Sequence, residues 1–96
     1  MTPSIGRFEE TGVPGERRRI ALAFGSALRA RRKLKRISQE ELAEQIDIDR
    51  TYPSLLERGL RQPTFGIIVA LARALDVTPE ELVADAVARL IERPAK

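Results

Sequence analysis

The chain has 96 residues, 43% apolar, 32% charged and only 4% aromatic, with a net charge of +3. That composition fits one compact domain with a core of Leu, Ile, Val and Ala. It contains no cysteine and no histidine, which removes disulfides, thiolate or imidazole metal sites and the usual nucleophile–base pairs. No apolar run is long enough to span a membrane and no signal peptide opens the chain, so a cytoplasmic protein without metal or cofactor is expected.

The charge is unevenly placed. Between Glu16 and Arg36 stand nine bases (Arg17, Arg18, Arg19, Arg29, Arg31, Arg32, Lys33, Lys35, Arg36) and one acid, whereas Ile37 to Lys96 holds seven bases and eleven acids. A local basic block suits an acidic polymer as partner, although a solvated helix face accounts for the same residues.

Residues 1–16 carry Pro3, Gly6, Gly12, Pro14 and Gly15 among few apolar residues and read as a disordered arm. The folded domain is expected over 17–93. Arg17 to Leu34 places Ile20, Phe24, Ala27, Leu28 and Arg31 at helical spacing, and its basic end suits the negative pole of the helix dipole. Ser38 with Glu41 three residues on is a capping box, and Leu42, Ala43 and Ile46 give the helix that follows a narrow inward face. Asp47 is placed to take a left-handed turn. The next helix is expected over Arg50 to Arg58, capped by Asp49 through the Thr51 or Tyr52 amide and stopped at Gly59. Thr64 opens a fourth helix with Phe65, Ile68, Leu71, Ala72 and Leu75 inward. Thr78, Pro79 and Glu81 open the last, which carries Leu82, Val83, Ala86, Val87, Leu90 and Ile91 and stops before Pro94.

Pro53 is the local conflict. Counted from an Asp49 cap it is the fourth helical residue, where it forfeits a bond to the Asp49 carbonyl. A proline deep in a helix costs ~3 kcal/mol, less at the cap, and less again if the helix starts nearer Thr51. Leu56 follows at i+3, which turns Pro53 toward the core. Two short helices, Gln39–Ile46 and Arg50–Arg58, joined by about three residues, have the spacing of a helix-turn-helix.

From Phe24 to Leu82 the chain resembles the Cro/C1-type (XRE) helix-turn-helix family. The resemblance rests on "SQEELA", "RTY" and "LERG" followed by "QPT", taken together. "DRTY…ERG" also looks like the controller proteins of restriction–modification systems. The family often has Gly where this chain has Arg36 and Asp47, Ile or Val at Pro53, and Leu at Arg31. The resemblance implies an all-α, five-helix, lambda-repressor-like DNA-binding domain and no enzyme. The carboxylates Glu40, Glu41, Glu44, Glu80 and Glu81 sit at helix starts, where the dipole accounts for them.

In that docking geometry the second helix of the motif enters the major groove. With Pro53 and Leu56 inward, Arg50, Thr51, Ser54 and Leu55 point outward, where the resemblance places base contacts. Arg50 suits guanine O6 and N7, and Leu55, read as exposed, suits thymine methyls. The resemblance brings Gln39 to a phosphate, and Tyr52 and Arg58 flank the reading surface as further phosphate candidates. It also pairs Arg32 with Glu57, with Arg32 sharing a phosphate. Val83, Val87, Leu90 and Ile91 are the expected homodimer surface, for a repressor or autoregulator on a palindromic operator. The alternative is a protein-interaction module on the same fold, an antitoxin or scaffold that engages a protein partner through the arm.

Overall fold

The computed structural model describes residues 15–91. Residues 1–14 of the expected arm and residues 92–93 of the expected domain lie outside the described residues. Five helices follow in order: α1 (Glu16–Lys35), α2 (Gln39–Ile46), α3 (Tyr52–Glu57), α4 (Phe65–Ala74) and α5 (Pro79–Ile91). The long α1 lies against both α3 and α5; α2 packs on α3 and α4, and α4 on α5.

Helix starts follow from side chains that take up orphan amides. Ser38 Oγ accepts from the Glu41 amide at 2.9 Å while Glu41 Oε1 accepts from the Ser38 amide at 2.7 Å. The same reciprocal box closes on Thr78 and Glu81, at 3.0 and 2.9 Å. Thr64 Oγ1 accepts from the Ile67 amide at 3.2 Å.

Helix ends share a second device. Arg36, Asp47, Gly59 and Asp76 take φ of 63°, 58°, 73° and 61°, each just past a helix. An apolar residue follows each one, and its amide reaches back over the last turn: Ile37 to Arg32 O, Ile48 to Ala43 O, Leu60 to Leu55 O and Val77 to Ala72 O. This hydrophobically closed left-handed stop satisfies carbonyls that would otherwise be unpaired. Only one of the four positions is glycine, so the other three carry a left-handed strain that their caps must outweigh.

Every helix contributes one fully buried leucine: Leu28, Leu42, Leu56, Leu71 and Leu82 are each 0% exposed. Phe24, Ala27, Ala72 and Leu75 complete the core, with Ile37, Ile46, Tyr52 and Ile68 among the residues around it. One inward expectation fails. Phe65 is 77% exposed, because it is the first residue of α4 and no preceding turn fixes its face, although its spacing aligns it with Ile68 and Ala72. Arg31 continues the apolar stripe of α1 only by spacing; it is half-exposed and donates to Asp85 Oδ2 of α5 at 2.6 Å.

Gly25 lets α1 and α3 meet. A Cβ there would strike the Leu56 carbonyl oxygen and come within 2.8 Å of that of Glu57. Both are backbone atoms of α3, so neither yields by a rotamer change. Gly25→Ala is therefore expected to lose at least about 2 kcal/mol in urea unfolding through overpacking. Gly66→Ala, whose nearest neighbour would be Thr64 Oγ1 at 3.9 Å, should instead gain up to about 1 kcal/mol from helix propensity.

Candidate nucleic-acid interface

The recognition segment begins with a turn rather than a helix. Asp49 Oδ1 accepts from the Thr51 amide at 2.8 Å and from the Thr51 hydroxyl at 2.6 Å. These two bonds, the side-chain one foremost, hold the Asp49 carboxyl below its usual pKa. The Asp49 carbonyl takes the Tyr52 amide at 3.0 Å, so it needs nothing from Pro53. The α-helix then runs from Tyr52 with Thr51 as its cap. That corrects the expected span of Arg50 to Arg58 and lengthens the connection from α2. Pro53 is thereby the second helical residue, where a missing N–H is one of the orphans. It is fully buried beside Leu56.

Arg50, Thr51, Ser54 and Leu55 fall on the outer side of this segment. Arg50 and Thr51 are exposed, Ser54 and Leu55 half-buried. Leu55 is thus less open than its spacing suggests. Arg50 approaches Glu40 at 3.6 Å, with side chains 76% and 73% exposed, a pair weakened by solvent. Ser54 Oγ accepts from Arg58 Nε at 3.2 Å. Tyr52 lies half-buried against the core cluster.

Beneath this surface lies a carboxylate with three donors on it. Glu57 Oε2 accepts from Arg32 Nε at 2.7 Å; Glu57 Oε1 accepts from Arg32 Nη2 and from Gln39 Nε2, both at 3.0 Å. Arg32 Nη1 donates onward to the Ile37 carbonyl at 2.9 Å. The two charged side chains are only 11% and 4% exposed. The hydrogen bond to Glu57 is the main reason the Arg32 pKa is raised. One carboxylate on α3 therefore ties α1, the first residue of α2 and the turn between them. Gln39, expected at a phosphate, spends a side-chain N–H here. Arg32 has three of its five N–H groups bonded inside the fold.

Four of the nine bases between Glu16 and Arg36 are likewise engaged within the fold: Arg19 with Glu16, Arg31 with Asp85, Arg32 with Glu57 and Lys35 with Asp76. The basic block is only partly a surface for an outside partner. Glu16 is Arg19's partner at i,i+3 and is found by local spacing, but Asp85, Glu57 and Asp76 lie on other elements, where neither charge counting nor local spacing finds them.

On α5, Val83, Val87 and Ile91 are 41%, 44% and 77% exposed. Leu90 is half-buried. Phe65, Ile68, Pro79, Val83, Ala84 and Val87, together with Glu80, line a shallow cavity of about 580 Å³. Phe65 joins this patch although periodicity assigns it to the core. Among the described residues no cluster of side chains could hold a metal ion, and no helix is long and apolar enough to cross a membrane.

A capped scaffold helix, a left-handed turn and a short second helix with an open polar edge define a helix-turn-helix DNA-binding protein. The helix-turn-helix family profile matches residues 28–82. The chain is 40% identical to the control protein C.MunI of a Mycoplasma species, over 69% of this chain and 90% of that protein. It is 42% identical to the control protein C.BamHI of Bacillus amyloliquefaciens, over 66% of this chain and 79% of that protein. The crystal structure of the restriction-modification controller protein C.AhdI from Aeromonas hydrophila superposes with a TM-score of 0.67 at 40% identity, covering 70% of this chain and 97% of C.AhdI. The chain belongs to the XRE helix-turn-helix family of DNA-binding proteins and resembles the restriction–modification controllers within it. The proteins it matches are regulators rather than enzymes. Of the carboxylates at the starts of α2 and α5, Glu41 and Glu81 close the two capping boxes.

The buried pair is expected to behave as a unit. Glu57→Ala or Arg32→Ala strands a buried charge and should each cost about 3–5 kcal/mol. The double variant should cost clearly less than the sum. Urea unfolding of the four proteins checks this.

Proposed function

We propose that the chain is a sequence-specific transcriptional regulator of the controller type, which binds a palindromic operator as a homodimer and represses or autoregulates. The observation that carries this reading is the open edge Arg50–Thr51–Ser54–Leu55, mounted on a helix that Glu57 locks to α1 and α2. C.MunI, C.BamHI and C.AhdI, all named as controllers, share 40% or more identity with this chain and are matched over most of their own lengths.

The bonds already made restrict what each side chain does on DNA. The Thr51 hydroxyl proton is given to Asp49, so Thr51 accepts, from cytosine N4 or adenine N6. Ser54 Oγ already receives Arg58 Nε, so its own proton is free to donate to a base acceptor or a phosphate. Arg50, held only by a long exposed pair with Glu40, swings onto guanine O6 and N7 with both arms. Leu55 offers its exposed part to a thymine methyl. Gln39 at the start of α2 reaches a phosphate through its backbone amide, because its side chain is held on Glu57. Tyr52, Arg58 and the remaining N–H groups of Arg32 add phosphate contacts that fix register without reading sequence.

One recognition helix reads too few base pairs for useful selectivity, so a second copy is required. The stripe of exposed Val83, Val87 and Ile91 with half-buried Leu90, widened by Phe65, is the proposed dimer face, since apolar patches of this kind mark contact sites. Two-fold symmetry then sets the half-sites ~34–36 Å apart.

Selection of bound duplexes from a random library should enrich a two-fold symmetric motif. Arg50→Ala should lose preference at one guanine in each half-site, at a cost of about 1–3 kcal/mol per contact. No enriched motif would contradict the regulator reading. Val87→Glu should convert the dimer to monomer in sedimentation velocity and weaken operator binding while leaving the fold intact by circular dichroism. A wild type that is monomeric at micromolar concentration contradicts the dimer face.

A further inference from the structure

The first turn of α1 and the loop after α3 enclose a cleft of about 540 Å³, lined by Arg17, Arg18, Ala21, Gly59, Leu60, Arg61 and Gln62. Three of those seven residues carry guanidinium groups and none carries a carboxylate. We propose that Arg17, Arg18 and Arg61 form a seat for a DNA backbone phosphate, which extends the interface beyond the helix-turn-helix onto the N-terminal turn of α1. The inference rests on the DNA-binding regulator reading above and adds a contact that reading does not contain.

Four observations carry it. First, these arginines meet around one cleft with no acid between them. Arg19, Arg31, Arg32 and Lys35 are each paired to an acid within the fold, whereas Arg17, Arg18 and Arg61, like Arg29, Lys33, Arg36 and Arg58, make no ion pair among the described residues; what sets these three apart is that they line one cleft, with Arg61 held there only by a long bond to the Leu60 carbonyl at 3.4 Å. Glu16, the one acid nearby in sequence, is taken by Arg19 at 2.8 Å. Second, the seat is fixed relative to the reading helix. Gly59 and Leu60 close the end of α3 through bonds to the Leu56 and Leu55 carbonyls, at 3.1 and 2.9 Å. Third, α1 comes close to that loop because residue 59 is glycine: a Cβ there would lie 2.7 Å from Leu22 Cδ2. Arg17 and Arg18 are therefore carried by an element packed on the recognition segment. Fourth, Arg17 and Arg18 lie ahead of residue 28, where the family match begins, so the seat adds to the segment that defines the family.

Three unpaired guanidiniums around one cleft repel each other in the free protein. A phosphodiester relieves this, and the planar guanidinium fork matches its oxygens. Arg61 stands four residues beyond the last residue of α3. The phosphate it meets therefore belongs to the strand bordering the groove beyond the end of the recognition helix. The contact is independent of sequence.

The test compares wild type, R17Q/R18Q and R61Q on the selected operator and on an unrelated duplex, across a range of salt. The Arg→Gln variants should bind both duplexes more weakly by the same factor. The slope of log affinity against log salt should become shallower by about 0.9 for each phosphate that is no longer neutralised. Ethylation of one backbone phosphate per half-site should interfere with wild-type binding and have no such effect on R17Q/R18Q. An unchanged urea midpoint shows that the variants are folded. If the salt slope and ethylation pattern of R17Q/R18Q equal those of wild type, the seat does not exist, even though operator selection by Arg50 survives. If wild type selects no operator, the parent reading falls separately, and the slope on the unrelated duplex still decides whether these arginines touch DNA.

Discussion

A carboxylate buried to 4% exposure cannot stand alone, and the geometry of the reading helix depends on how Glu57 is neutralised. Arg32 takes both its oxygens and Gln39 adds a third bond. Because the acid sits on α3, the base on α1 and the amide at the head of α2, satisfying one charge fixes three helices. The Arg32 bond to the Ile37 carbonyl brings the α1–α2 turn into the same arrangement. Such a pair adds little net stability over an apolar substitute, but removing one partner is expensive. Its value here is in register: a six-residue helix too short to hold itself keeps one orientation.

The same economy explains the charge pattern. A run of nine bases in one helical region looks like a surface for a polyanion, yet four of them are satisfied within the fold. Arg31 and Lys35 reach α5 and the α4–α5 turn, which fastens the C-terminal half of α1 to the far end of the chain. The unpaired bases are then the informative ones, and their distribution around α3 underlies the proposed interface.

Much of the fold is legible in local chemistry. Ser38 with Glu41, Thr78 with Glu81, and Thr64 mark helix starts because capping depends on residues three apart. Gly59 and Asp47 mark stops by their tolerance of positive φ. Asp76 uses the same stop, and its sign in the sequence is the apolar residue that follows it, as one follows the other three. The start of α3 lies two residues beyond its expected place, because Asp49 binds the Thr51 amide in a turn that sequence alone does not separate from a helix cap. Phe65 falls on the inward stripe by spacing, yet an apolar residue at a helix's first position has no preceding turn to fix its face. Gly25 carries no local signal at all, since its reason is the α3 backbone more than thirty residues away. The pairing of Arg32 with Glu57 is legible only through family resemblance, while the share of Gln39 in that site needs three-dimensional proximity.

If the reading face is preformed, the Glu57 site stays closed when DNA binds. The most direct measurement follows the Arg32 Nε–H resonance by NMR while an operator duplex is titrated. A buried guanidinium held on a carboxylate should keep its shifted, slowly exchanging signal throughout, while the amides of Arg50, Thr51, Ser54 and Leu55 move. Loss of that signal on binding, with Arg32 turning from Glu57 to the DNA, would contradict a preformed reading face.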